Sequence, residues 1–84
     1  MYNKKYRLDK IEEFGRHNYI YDDMKGSTCY LEYLNVGERG YFIYENEWFG
    51  KANRIHTSTI KDVVYTDNQV LVETQNTRFT FTVI

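Results

Sequence analysis

The chain has 84 residues, with 11 Lys+Arg against 12 Asp+Glu, one Cys, no Pro and nine Tyr. This length supports one domain with a single core. A lone Cys excludes the small secreted disulfide scaffolds and points to a reducing cytoplasm. No apolar run approaches a membrane span or a signal-peptide core, and a net charge of −1 argues against general nucleic-acid binding and against an acidic DNA mimic.

Residues 1–16 read as a short amphipathic helix or turn, because Leu8, Ile11 and Phe14 are spaced three apart and Gly15 could terminate the helix. From Tyr19 onward the pattern has period two, and residues 19–84 read as a β-barrel. Tyr19-Ile20-Tyr21 is a short extended run, Lys25-Gly26-Ser27 a turn, and Thr28 to Leu34 a strand with Cys29, Leu31 and Tyr33 on one face and Tyr30 on the other. Asn35 to Gly40 is a glycine-punctuated loop with Arg39 at its tip, and Tyr41 to Glu45 is the next strand. Asn46 to Asn53 reads as a loop carrying a buried aromatic anchor, Trp48-Phe49.

Ile55 to Thr66 holds one or two strands with a bend around Thr57-Ser58-Thr59. Asp67-Asn68 and Gln75-Asn76 are turns, and Gln69–Thr74 and Arg78–Ile84 alternate, the last with Phe79, Phe81 and Val83 inward. The expectation is one mainly β domain over residues 1–84: a small SH3-like barrel of five to six antiparallel strands with a short N-terminal helix or turn. With no Pro to blunt an edge, closure or another subunit must cover the edges, and a last strand ending at Ile84 with an open edge would suit β-augmentation in a homo-oligomer.

Catalysis finds little support, and no cofactor or metal is expected. Cys29 alternates with hydrophobes and reads as a small core residue, not a nucleophile. His17 near Asp22 and Asp23 matches no metal-ligand spacing, His56 and Ser58 lack a third orienting group, and no glycine-rich phosphate loop precedes a helix. Binding has more to work with. Arg54, His56, Thr57, Ser58 and Thr59 gather a cation, an imidazole and three hydroxyls in a short segment, groups that hold phosphate oxygens, and Arg39 is a second cation. Hydroxyls in a bent strand also serve local hydrogen bonds. Tyr19, Tyr21 and Tyr30 would leave aromatic area at the surface, as binding hot spots do.

From Val36 to its end the chain resembles short proteins of bacteriophages and mobile elements of low-GC Gram-positive bacteria. The resemblance lies in Gly37-Glu38-Arg39-Gly40-Tyr41-Phe42, Arg54-Ile55-His56-Thr57-Ser58-Thr59-Ile60 and Val72-Glu73-Thr74-Gln75-Asn76-Thr77. It transfers no site residue and implies a context: a phage accessory protein in the host cytoplasm that counters a bacterial defence system. Stoichiometric binding to a defence protein such as a CRISPR effector, as anti-CRISPR proteins do, fits the mixed surface. A sponge for a nucleotide immune signal, with phosphates on Arg54–Thr59, fits the hydroxyls and an oligomer. A small nucleic-acid-binding regulator would use Lys4, Lys5, Arg7 and Lys10.

Overall fold

The alternation of the C-terminal third passes directly into structure. In β6 (Thr77–Val83), Thr77, Phe79 and Phe81 are buried, and in β5 (Gln69–Thr74) Val70, Val72 and Thr74 are buried opposite them. Thr66 N–H donates to the Gln69 carbonyl across the Asp67-Asn68 turn, and Thr74 Oγ1 accepts the Asn76 and Thr77 N–H groups at the Gln75-Asn76 turn. Together with β1 (Tyr6–Glu13), β2 (Thr28–Tyr33), β3 (Arg39–Asn46), β4 (Lys51–Tyr65) and a short helix, α1 (Ile20–Met24), these strands make up the elements of the described residues. The structure is a computed structural model and describes residues 4–46 and 51–84.

Each strand pairs antiparallel with the next, and β6 closes on β1, forming a barrel in the order β1-β2-β3-β4-β5-β6. This mainly β closed barrel is consistent with the small SH3-like type. Inside lie Leu8, Met24, Cys29, Phe42, Tyr44, Ile60, Val70, Val72, Phe79 and Phe81. Phe42 meets Phe79 and Phe81 edge-to-face at 5.7 and 5.2 Å between centroids, a geometry that adds to the burial of the rings. Cys29 is fully buried, and burial pushes its thiol up to about 11, as expected of a core residue.

Closing so small a barrel requires sharply bent strands, and β-bulges supply the bends. Bulges interrupt the pairings β1–β6, β2–β3, β3–β4 and β4–β5. β4 is shared: its residues through Thr59 pair with β3, and those from Ile60 onward pair with β5. The bend expected at Thr57-Ser58-Thr59 is the bulge at that handover, where Thr57 and Ile60 turn inward and Ser58 and Thr59 both face solvent.

Several expectations need correction. The first helix is a strand: the bulge at Asp9 stretches the inward spacing between Leu8 and Ile11 to three residues, which imitates a helical repeat. Arg7 Nε and Thr82 Oγ1 both donate to the Asp9 carboxylate there and hold it below the usual carboxylate range, Arg7 being the larger cause. The short helix lies where Tyr19-Ile20-Tyr21 was expected to be extended. Asn18 Oδ1 accepts the Ile20 N–H at 3.2 Å, and Asp22 and Asp23 in the first turn favour the helix start.

Asn46 belongs to β3 and Lys51–Asn53 to β4, so both ends of the expected loop are strand. The anchor Trp48-Phe49 lies outside the described residues. Arg39 opens β3 opposite Thr59 and is not at a loop tip. β6 has β1 on one side and β5 on the other, which leaves no open edge there for β-augmentation.

Candidate functional site: an aromatic outer face

On the outside of β2, β3 and β4, cross-strand register builds a row of rings. Tyr33 stands opposite Tyr41, and Tyr41 opposite His56. The ring centroids are 6.3 Å apart in the first pair and 4.2 Å in the second, both edge-to-face. Next to this row, Tyr30 pairs with Ile43 and Ile43 with Arg54. Arg54 Nε reaches across to Glu32 Oε1 at 3.0 Å, a salt bridge that spans from β4 to β2 over β3. One face thus presents Tyr30, Tyr33, Tyr41, Ile43, His56 and the Glu32–Arg54 pair.

Carboxylates border the face. Tyr30 Oη donates to Glu45 Oε1 at 3.0 Å, and Tyr33 Oη donates to Glu38 Oε2, which also accepts from Asn35 Nδ2 at 3.3 Å. These carboxylates raise both phenol pKa values, the hydrogen bond being the main cause in each case. A phenol so held stays neutral and donating at physiological pH.

Of the expected binding residues, Tyr30, Arg54 and His56 come together on this face. Thr57 does not join them. It is 2% exposed. Its Oγ1 accepts the Gly40 N–H at 2.8 Å and donates to the Ser58 carbonyl at 2.7 Å, which makes it part of the β3–β4 junction. Ser58 and Thr59 are exposed beside it. Arg39 Nε donates to the Thr57 carbonyl at 3.0 Å. The expected phosphate cradle therefore spends one hydroxyl and one guanidinium N–H on its own backbone, and Arg54 on Glu32.

Tyr19 and Tyr21 lie elsewhere. Tyr19 is 80% exposed next to α1, with its ring 4.8 Å from that of His17. Tyr21 is half-buried with its ring 5.4 Å from Phe79, so it plugs the barrel end with Met24 and is not a surface anchor. The basic N-terminal cluster is partly neutralised, since Arg7 pairs with Asp9 and Lys10 with Glu12.

Sequence reasoning missed Tyr33, Tyr41, Ile43, Glu32, Glu38 and Glu45. Tyr33 was expected on the inner face, and the bulge at Glu32 turns it outward beside Tyr30. For Tyr41 and Ile43 the signal was present, because they alternate with the buried Phe42 and Tyr44. No group of His, Cys, Asp and Glu among the described residues is arranged to hold a metal ion. No described helix is long and apolar enough to cross a membrane. Against protein families, curated proteins and solved structures the chain shows no match.

Proposed function

We propose that this barrel is a non-enzymatic binding module that works by stoichiometric docking on a partner protein through the outer face of β2, β3 and β4. The observation that carries the reading is the Tyr33–Tyr41–His56 row across three neighbouring strands. Rigid rings with polar handles on a fixed sheet supply contact area at low entropic cost, the usual makeup of a protein hot spot. Glu38 and Glu45 at the border oppose a polyanionic ligand on this face. The resemblance of the Val36–Ile84 span to short phage proteins makes a host defence protein, such as a CRISPR effector, the partner class. The host cytoplasm is the matching compartment.

The test is phage plaquing on a Gram-positive host with active CRISPR immunity. Expression of the chain is expected to restore plaques, and the Tyr41→Ala/His56→Ala variant, if folded, to lose that effect. Immunity left intact by the wild-type chain, or plaques restored equally by the variant, would overturn the reading.

The sponge reading keeps one specific support, the exposed Ser58 and Thr59 beside His56. A thermal-unfolding scan against cyclic nucleotides separates the two. A ligand at about 100 times its Kd adds roughly 2.7 kcal/mol, which moves the midpoint of so small a domain by ten degrees or more at roughly 4–8 °C per kcal/mol. Docking on a protein predicts no shift.

A further inference from the structure

β4 changes partners at its bulge, and its second half, Ile60 to Tyr65, pairs with β5 alone. On the other edge of this half, Ile60 meets the loop before β3. Its N–H donates to the Glu38 carbonyl at 2.9 Å, and its carbonyl accepts the Gly37 N–H at 2.8 Å. Past Ile60 that edge has no strand beside it among the described residues. Thr66 N–H donates to the Gln69 carbonyl at 2.9 Å, which makes Thr66 and Gln69 a hydrogen-bonded pair. The alternation of an antiparallel ladder makes Val64 and Leu71 the next such pair. The N–H and C=O groups of Val63 and Tyr65 therefore point away from β5, and among the described residues no backbone group meets them. The side chains of Val64 and Tyr65 are 46% and 66% exposed. An unpaired strand edge with apolar side chains is a template for another strand.

We propose that this edge takes a second copy of the chain, β4 pairing antiparallel with β4 of the partner subunit about a two-fold axis at Val64. In that register Val63 and Tyr65 stand opposite Tyr65 and Val63 of the partner subunit, and all their outward backbone groups are satisfied. Val64 meets its own copy in the close position between these pairs, at about 4.5 Å between Cα atoms. The Val63–Tyr65 pairs set a β-branched side chain against an aromatic one, a favourable cross-strand combination. The same register brings Lys61 opposite Asp67 of the partner subunit, and neither residue has an ion pair within the described chain. An exposed pair of this kind selects register more than it adds affinity. The neighbouring two-fold registers set Asp62 against Val64, or Asp67 against Val63, a carboxylate against an apolar side chain in each case. None of Tyr33, Tyr41 and His56 lies on this edge, so the inference is independent of the docking reading.

The experiment is sedimentation equilibrium of the purified chain from about 10 μM to about 1 mM, a range that spans weak association. The mass is expected to rise from monomer to dimer and stop there, because a two-fold pairing closes on itself. Amide hydrogen exchange at Val63 and Tyr65 is expected to slow as the concentration rises, while Val64, bonded to β5, is unchanged. Val64→Lys and Val64→Glu place like charges opposite each other at the axis and are each expected to weaken association about tenfold or more. Both substitutions lie at an exposed position, so each variant is expected to keep its unfolding midpoint. An equimolar mixture of the two is expected to recover the dimer, because opposite charges then meet at the axis.

A wild type that stays monomeric across the range would overturn the proposal, as would masses beyond the dimer. Val64→Lys associating like the wild type would also overturn it. So would a mixture of the two variants that remains monomeric, since only an axis at Val64 brings the two substituted side chains together.

Discussion

Tyr41 and His56 face each other across the β3–β4 ladder with ring centroids 4.2 Å apart, the closest ring pair among the described residues. The contact joins the two strands that a neighbouring bulge must bend, so it serves the fold as well as the face. Edge-to-face pairs contribute about 0.5–1.5 kcal/mol beyond burial. A double-mutant cycle on Tyr41→Ala and His56→Ala in urea is expected to give a coupling of about that size. Additive losses would show that the rings are neighbours without being partners.

Gly40 marks the tightest approach in the β3–β4 junction. A Cβ there would lie 2.7 Å from Ile60 Cδ1 and 3.0 Å from Thr57 Oγ1. Gly40→Ala is expected to cost about 1–3 kcal/mol through overpacking, read as a lower urea midpoint. An unchanged midpoint would mean that Ile60 yields freely.

Thr57→Val separates a structural hydroxyl from a ligand-binding one. The substitution keeps the shape and leaves the buried Gly40 N–H without its acceptor, at a cost of about 1–3 kcal/mol. Ser58→Ala, on the exposed side of the same bulge, is expected to stay within about 0.5 kcal/mol. Equal effects on stability would contradict this division.

His17 links β1 to α1. Its Nδ1 lies 2.6 Å from Glu13 Oε1 and its Nε2 3.2 Å from Asp22 Oδ2, which raises its pKa above the ordinary 6.5, with Asp22 the larger cause. A raised folded-state pKa gives stability that is fully present below the unfolded value and lost as pH rises through the folded one. The stability of wild type relative to His17→Ala should therefore fall as the pH is taken from 6 upward, measured by urea unfolding. A difference that is flat or grows with pH would contradict the link.

Cys29 lies buried in the core with its thiol pushed up to about 11. Alkylation at pH 8 is expected only at the rate at which the barrel opens, and fast in denaturant. Rapid native-state labelling would remove Cys29 from the core.

The β-meander from Gln69 to Val83 was legible because its strands alternate without a bulge between them. β1 was not: the extra residue at Asp9 turned a spacing of two into a spacing of three, and the apolar pattern became that of a helix. The same device hid Tyr33, whose side was reversed by the bulge at Glu32. A bulge leaves no fixed mark in composition, so alternation fails where the barrel bends most. The site was half legible for a related reason. Arg54, His56 and Tyr30 could be singled out by residue type, whereas the row they join depends on which residue of β3 stands opposite each, and register is a property of the folded pair.

The most direct measurement of the docking face is the affinity of the purified chain for a CRISPR effector complex from a low-GC Gram-positive host. It compares the wild type, the Tyr41→Ala/His56→Ala variant, and Asp67→Ala in the β4–β5 turn as a control. The expected result is saturation at a fixed ratio of chains per effector, at least a tenfold loss for the double variant, equivalent to about 1.4 kcal/mol, and no change for the control. Saturable binding that the double variant retains in full, or no binding by the wild type, would contradict docking through this face.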